Sequence, residues 1–203
     1  DGTAGFDDDI AVASLSKLFT ASAVMKLVES GAVKIDSPVA DYVPQFAANG
    51  KERVTVKHLL THTGGLPEGI KLAENDGRQE VLQKALNVRP KFAPDTKRLY
   101  SDIDFIMLGE IVQRASGIGL DRFIAEQITG PLGMVDTMYL PPDTLLPRIA
   151  LPVEARNERV KVLRFRAPEP AREIGIARAN VYQALESLNP QNLYLHQLKR
   201  GFL

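Results

Sequence analysis

The most extended apolar pattern in the chain lies close to its start. Between residues 11 and 28, apolar side chains fall on more than one face of a helix, and Gly31 follows as a stop signal. A helix with apolar residues around much of its circumference is typical of the interior of a domain. The pattern therefore predicts a buried helix that ends before Gly31.

Further apolar patterns predict a mostly helical region downstream. Residues 103–115 have the spacing of a helix with one core-facing side, and shorter patterns predict helices over residues 79–86 and 120–128. Residues 54–60 fit either a short strand or a short helix with Thr55 as its N-cap. The core-facing stripe of the helix over residues 103–115 is predicted to contain Ile103, Ile106, Met107, Ile111 and Val112.

The last quarter of the chain differs in composition from the part before it. Residues 1–150 contain these predicted helices, whereas residues 151–203 carry more basic than acidic side chains and form a second segment. Within it, residues 160–166 fit a strand and residues 177–188 fit a final amphipathic helix. A basic segment can bind nucleic acid or a membrane surface. Here the basic residues are spread out and interleaved with glutamates, which favours a solvated surface.

Overall composition argues against several classes of function. The 203 residues include 25 basic and 25 acidic side chains, so no net field favours nucleic acid. There is no cysteine and the three histidines are scattered, so we expect neither a metal site nor a cofactor. No apolar run approaches the ~20 residues that a membrane-spanning helix needs. The chain begins at Asp1 with neither a methionine nor a signal segment, which we interpret as a processed or engineered end.

Ser14 and Lys17 are the first candidate catalytic pair. They form a Ser-x-x-Lys motif at the start of the long predicted helix, and this spacing puts both side chains on one face, one turn apart. A serine hydroxyl is a weak nucleophile until a base takes its proton, and a lysine can do so only where its pKa is lowered. The positive field of a helix N-terminus has that effect. The motif also occurs by chance in many helices, so it needs support from elsewhere in the chain.

Tyr100 and Asp102 are the next candidates. A tyrosine after a loop is usually a partly buried aromatic residue, but beside a Ser-x-x-Lys motif its phenol can take a proton from the serine or pass one to a leaving group. Asp102 fits two roles equally well. It can hydrogen-bond Lys17 or the substrate, or it can cap the helix that begins near Ile103.

Four blocks of the chain together resemble the serine β-lactamase-related family. The blocks are residues 13–17 (ASLSK), 54–67 (VTVKHLLTHTGGLP), 100–110 (YSDIDFIMLGE) and 130–137 (GPLGMVDT), within a resemblance over about residues 8–148. This family includes class C β-lactamases, low-molecular-weight penicillin-binding proteins, D-amino peptidases and related esterases. The resemblance implies an α+β fold of the serine β-lactamase and transpeptidase type. It also favours a periplasmic or secreted bacterial protein, with a cytoplasmic location as the alternative.

The same resemblance implies roles for the candidate residues. Ser14 is the acylated nucleophile, Lys17 its base partner, and Tyr100 the tyrosine of the Tyr-x-Asn element. Asp102 stands where class C enzymes have asparagine, which points to the esterase or peptidase branches. Its carboxylate replaces a neutral amide, so we expect a neutral ester to be handled better than a β-lactam that carries a carboxylate.

The chain also departs from the family pattern. Members have strands before the Ser-x-x-Lys helix, and we expect none in the few residues ahead of Ser14. They also have a third element, Lys-Thr-Gly or a similar triplet, on a strand near the C-terminus. Here a triplet of that kind occurs only at residues 62–64 (HTG), within the earlier loop block. We therefore expect the helical part of the fold, with the antiparallel sheet largely missing or replaced.

Two hypotheses of different classes follow. The first is a serine hydrolase that acylates on Ser14 and cleaves a small ester, amide or β-lactam without a metal. The second is a non-catalytic or slowly acylating penicillin-binding remnant or binding module, which retains the helices but lacks part of the oxyanion site. A missing oxyanion donor typically costs about 10² to 10³ in rate, so slow acylation without turnover lies between the two.

Overall fold

Helices dominate the part of the chain that the structure describes. The computed structural model describes residues 9–73, 76–139, 141–142, 144–145, 149–150 and 194–196. Within them are five α-helices, α1 (Ser16–Glu29), α2 (Val56–Thr61), α3 (Arg78–Asn87), α4 (Asp102–Ser116) and α5 (Leu120–Ile124). The strand predicted over residues 160–166 and the helix over residues 177–188 lie outside the described residues. None of the helices in the described ranges is long and apolar enough to cross a membrane.

Helix α4 is the centre of the core. It packs against α1, α2, α3 and α5, and all five residues predicted for its core-facing stripe are buried. The burial is not limited to that stripe, because every residue from Ile103 to Val112 is buried. The helix ends at Gly117, whose positive φ of 78° is the left-handed conformation that glycine adopts readily. Local apolar spacing therefore identified the element around which the other helices pack.

Helix α1 differs from the prediction of a helix buried on more than one face. Its buried side contains Ala23, Val24 and Leu27. Leu18 and Met25 are 64% and 46% exposed. The prediction was wrong for this face because apolar content alone does not say which side of a helix another element covers.

A small mixed sheet lies beside the helices. Its strands in the described residues are β1 (Asp9–Ala11), β2 (Thr137–Met138), β3 (Ile149–Ala150) and β4 (Tyr194–His196), in the order β2-β4-β1-β3. Strand β1 pairs parallel with β3 and antiparallel with β4. The expectation of no strand ahead of Ser14 is corrected by β1, since a strand of three residues is too short to leave an alternating pattern.

The start of α2 is fixed by side-chain hydrogen bonds. Helix α2 begins with a capping box, in which Thr55 Oγ1 accepts from the His58 N–H and His58 Nδ1 accepts from the Thr55 N–H. Of the strand and the helix that the sequence left open for this segment, the structure therefore has the helix.

The loop after α2 approaches the segment around Phe92 closely. Gly65 has a φ of +75°, and a Cβ there would lie 2.0 Å from the Phe92 carbonyl oxygen. Only glycine therefore allows the two segments to approach this closely.

Lys51 is a fully buried lysine that joins two segments far apart in sequence. Its Nζ donates to the carbonyl oxygens of Ala48, Leu86 and Val88 at 2.7, 2.9 and 2.8 Å. Burial lowers the pKa of Lys51. The three carbonyl oxygens replace the hydrogen bonds to water that the Lys51 amino group loses on burial. The side chain therefore links the end of α3 to the segment around Ala48.

We expect Lys51→Met to lower the free energy of unfolding by roughly 2–4 kcal/mol, because it keeps the apolar stem but leaves buried carbonyls unpaired. Chemical denaturation measures the change. The matched control is Lys57→Met, at a lysine whose side chain is 60% exposed. The control should change the free energy of unfolding by no more than about 0.5 kcal/mol. Equal effects of the two substitutions would contradict the structural role of Lys51.

Candidate active site

Ser14 is presented at the N-terminal end of α1. It lies in a 3₁₀ turn, Ala13–Leu15, that runs directly into the helix, and its side chain is exposed. The sequence predicted Ser14 in the first helical turn, so the position is as expected although the turn is of the tighter type. An exposed hydroxyl beside a helix N-terminus is accessible to a substrate and lies in a positive field.

Tyr100 meets Ser14 across the site. Its hydroxyl donates to Ser14 Oγ at 2.8 Å, although the two residues are 86 positions apart. Tyr100 is 44% exposed, and its contact with Ser14 is open to solvent. The structure therefore brings together the serine and the tyrosine that the sequence singled out.

Lys17 and Asp102 form an ion pair behind this contact. Lys17 Nζ donates to Asp102 Oδ1 at 2.7 Å, and the two side chains are 6% and 15% exposed. The ammonium also lies 4.9 Å from the centroid of the Tyr100 ring. Of the roles that the sequence left open for Asp102, the geometry favours polar support of Lys17, since Ser101 occupies the N-cap position of α4.

His62 and Asp104 form a second pair, deeper in the protein, which the sequence analysis did not identify. His62 Nδ1 lies 2.7 Å from Asp104 Oδ2, and the two side chains are 7% and 1% exposed. The imidazole packs against the Tyr100 ring with centroids 4.6 Å apart. One signal was present in the sequence: Asp104 is a charged residue inside the apolar first turns of α4, and buried aspartates are rare without a partner.

The triplet at residues 62–64 is not part of a strand. It follows α2 in the loop, with His62 in the left-handed conformation at the helix C-cap. His62 and Gly64 are buried, so the triplet lies behind Tyr100. This agrees with the sequence analysis, which kept it separate from the third family element.

The buried position of Asp104 disfavours the ionised form of its carboxyl group. Burial raises the pKa of its carboxyl to about 6, against the opposing effects of the His62 hydrogen bond and the Lys17 charge. Among the described residues, no group donates a hydrogen bond to Asp104 Oδ1. An ionised carboxylate with one bare oxygen is unfavourable in the core, which accounts for the direction of the shift.

The raised pKa of Asp104 makes its contribution to stability depend on pH. The unfolded carboxyl ionises near 3.8 and the folded one near 6, so the folded state is disfavoured progressively as the pH rises through this window. Relative to Asp104→Asn, the wild-type free energy of unfolding should therefore fall by roughly 2 kcal/mol between pH 4 and pH 7. Denaturant titrations at several pH values measure this difference.

The control for this comparison is Asp41→Asn, which removes an exposed carboxyl. The difference in free energy of unfolding between Asp41→Asn and the wild type should change far less between pH 4 and pH 7. A wild-type to Asp104→Asn difference that is the same at pH 4 and pH 7 would contradict the penalty assigned to Asp104.

The chain has curated relatives that support the resemblance. It is 34% identical over 151 residues to the D-alanyl-D-alanine-carboxypeptidase/endopeptidase AmpH of Escherichia coli, covering 66% of this chain and 38% of the relative. It is 32% identical over 144 residues to Penicillin-binding protein 4 of Amycolatopsis lactamdurans, covering 68% of this chain and 38% of the relative. The aligned part of the chain thus spans less than half the length of these proteins.

A solved structure and a family match give the fold and the family. The Beta-lactamase/D-alanine Carboxypeptidase from Yersinia pestis, complexed with citrate, has a TM-score of 0.69 at 20% identity, covering 96% of this chain and 52% of that chain. This likeness shows the fold alone and confirms the predicted fold type. The chain also matches the family described as Beta-lactamase over residues 9–193. Because that match includes most of the sequence, the chain belongs to the serine β-lactamase-related family.

Proposed function

We propose that this chain carries the acylation site of a serine hydrolase, with Ser14 as the nucleophile that is acylated by a small ester, amide or β-lactam. The observation that carries the proposal is the 2.8 Å contact between the Tyr100 hydroxyl and Ser14 Oγ. A nucleophile within hydrogen-bond distance of a proton-accepting group is the arrangement that nucleophilic catalysis needs. The enzymes named among the relatives support the same class of reaction.

Tyr100 is the proton acceptor in this proposal. Lys17 Nζ donates to Asp102 Oδ1, so in this proposal Lys17 serves as a hydrogen-bond donor and a positive charge and not as the proton acceptor. Tyr100 first gives its phenolic proton to water and then, as the phenolate, accepts the Ser14 proton, so that the hydrogen bond between the two oxygens reverses its direction. The ammonium lies 4.9 Å from the centroid of the phenol ring and stabilises the negative charge. Lys17 therefore supports the base instead of being the base that the resemblance implies.

The reaction then proceeds in two displacements. Ser14 Oγ forms a bond to the carbonyl carbon, and Tyr100 receives the serine proton and gives it to the leaving oxygen or nitrogen as that bond breaks. Water attacks the acyl-enzyme in the second step, with Tyr100 taking a proton from water and returning one to Ser14 Oγ. The positive end of α1 favours the oxyanion that develops next to Ser14.

Slow penicillin-binding acylation is the second candidate. Penicillin-binding protein 4 is among the relatives, and the described residues contain little sheet. In the family, a strand near the C-terminus donates one oxyanion hydrogen bond. If the chain lacks that donor, deacylation is slow and the acyl-enzyme accumulates.

A serine-directed probe tests the proposed nucleophile. Incubation with a fluorescent penicillin or a fluorophosphonate should label one site, and mass spectrometry should map the adduct to Ser14. Ser14→Ala should abolish labelling, because it removes the hydroxyl group that Tyr100 contacts and that forms the bond to the probe in the proposed mechanism. The matched control is Ser22→Ala, at an exposed serine on α1, and it should label normally. Labelling at another residue, or unchanged labelling of Ser14→Ala, would contradict the proposal.

Charge at the site predicts the substrate preference. Lys17 and Asp102 together carry no net charge, whereas asparagine at position 102 would leave a net positive site for an anionic substrate. We therefore expect a higher kcat/KM for a short p-nitrophenyl ester than for a chromogenic cephalosporin. Asp102→Asn should raise the ratio of cephalosporin to ester kcat/KM roughly tenfold, which corresponds to about 1.4 kcal/mol.

Both substrates are measured on the same preparation, so any loss of folded protein in Asp102→Asn cancels from this ratio. Faster cephalosporin cleavage by the wild type would contradict the preference for neutral substrates. A burst of one equivalent followed by no turnover would support the slow penicillin-binding candidate instead.

A further inference from the structure

We propose that His62 is a positioning residue for Tyr100, with Asp104 fixing the orientation of the imidazole. The inference rests on the proposed function, since it concerns the tyrosine that handles the Ser14 proton. It assigns a task to a buried polar pair that the acylation mechanism does not itself use.

His62 contacts three consecutive residues of the segment that delivers the tyrosine. Its carbonyl oxygen accepts from the Leu99 N–H at 2.9 Å. Its ring packs against the Tyr100 ring with centroids 4.6 Å apart, and its Nδ1 accepts from the Ser101 N–H at 3.3 Å. The side chain and main chain of one residue therefore set the path of the backbone on both sides of Tyr100 and the position of its ring.

The imidazole is itself held from two sides. Asp104 Oδ2 lies 2.7 Å from Nδ1, and the Phe105 ring packs at a centroid distance of 5.3 Å. Both residues belong to the first turns of α4, the helix whose first residue pairs with Lys17. His62 thus links the loop after α2 to the rigid core helix, with Tyr100 between them.

Burial of the polar pair His62 and Asp104 has an energetic cost that some benefit must offset. An apolar residue at position 104 would fill the core at lower cost, because Asp104 Oδ1 has no hydrogen-bond partner among the described residues. The benefit that we infer is a fixed imidazole, which a carboxyl group can orient and an apolar side chain cannot. A displacement of about 1 Å in a catalytic group can cost 10²-fold in rate, so precise placement has value here.

Single-turnover acylation by a fluorophosphonate separates positioning from folding. The amplitude reports the fraction of active protein, and the rate constant reports the geometry of each site. His62→Ala should lower the rate constant about 10- to 100-fold. His62→Asn should recover part of the loss, because asparagine tolerates the left-handed backbone and places an amide near the position of Nδ1. A purely structural role would lower the amplitude and leave the rate constant unchanged, which would overturn the inference.

Two comparisons make the test specific. The matched control is His58→Ala, which disturbs the capping box of α2 and an ion pair with Asp95, and it should leave the rate constant near that of the wild type. In the Tyr100→Phe background, His62→Ala should cause little further loss, because the hydroxyl that it positions is already gone. Additive losses in the double variant would overturn the inference.

A measurement without activity distinguishes this inference from the proposed function. The Tyr100 ring resonances, assigned by their loss in Tyr100→Phe, should shift in His62→Asn and stay in place in His58→Ala. If the wild type is not labelled but the resonances shift, the proposed function fails while the contact stands. If the wild type is labelled at Ser14 but neither the rate constant nor the resonances respond to His62→Asn, the inference alone fails.

Discussion

The pairing of two largely buried charges constrains the assembly of the site. Lys17 at the start of α1 and Asp102 at the start of α4 lie 2.7 Å apart. Removing one partner of a buried ion pair typically costs roughly 3–5 kcal/mol, so the starts of the two helices are held together. Ser14 lies two residues before the start of α1, and Tyr100 lies two residues before the start of α4. The same constraint therefore supports the 2.8 Å contact between their hydroxyl groups.

Behind the ion pair, polarity continues into the core. Asp104 is placed two residues after Asp102 in the first turns of α4, where its buried carboxyl meets His62. These groups reduce the apolar content of a helix in which every residue from Ile103 to Val112 is buried. They lie beside the candidate nucleophile and base, which agrees with the general observation that polar residues in a core are concentrated near functional sites.

The charge of the site distinguishes this chain from the class C pattern more than its fold does. The fold is shared with a structure that is only 20% identical, and one fold can support many activities. An aspartate at position 102 in place of asparagine adds one negative charge next to Lys17. A charge that favours some ligands and opposes others is a general means by which proteins with one fold differ in specificity.

The sequence by itself determined the features that repeat over a few residues. The core stripe of α4 follows from the 3.6-residue period, and the spacing of Ser14 and Lys17 places them one turn apart. The motif blocks also identified Tyr100. Tertiary structure alone decided that Leu18 is exposed and that Asp102 pairs with Lys17 across 85 positions of sequence. It also decided that His62 reaches Asp104, because a local pattern records backbone geometry, whereas a partner distant in sequence depends on how whole helices pack.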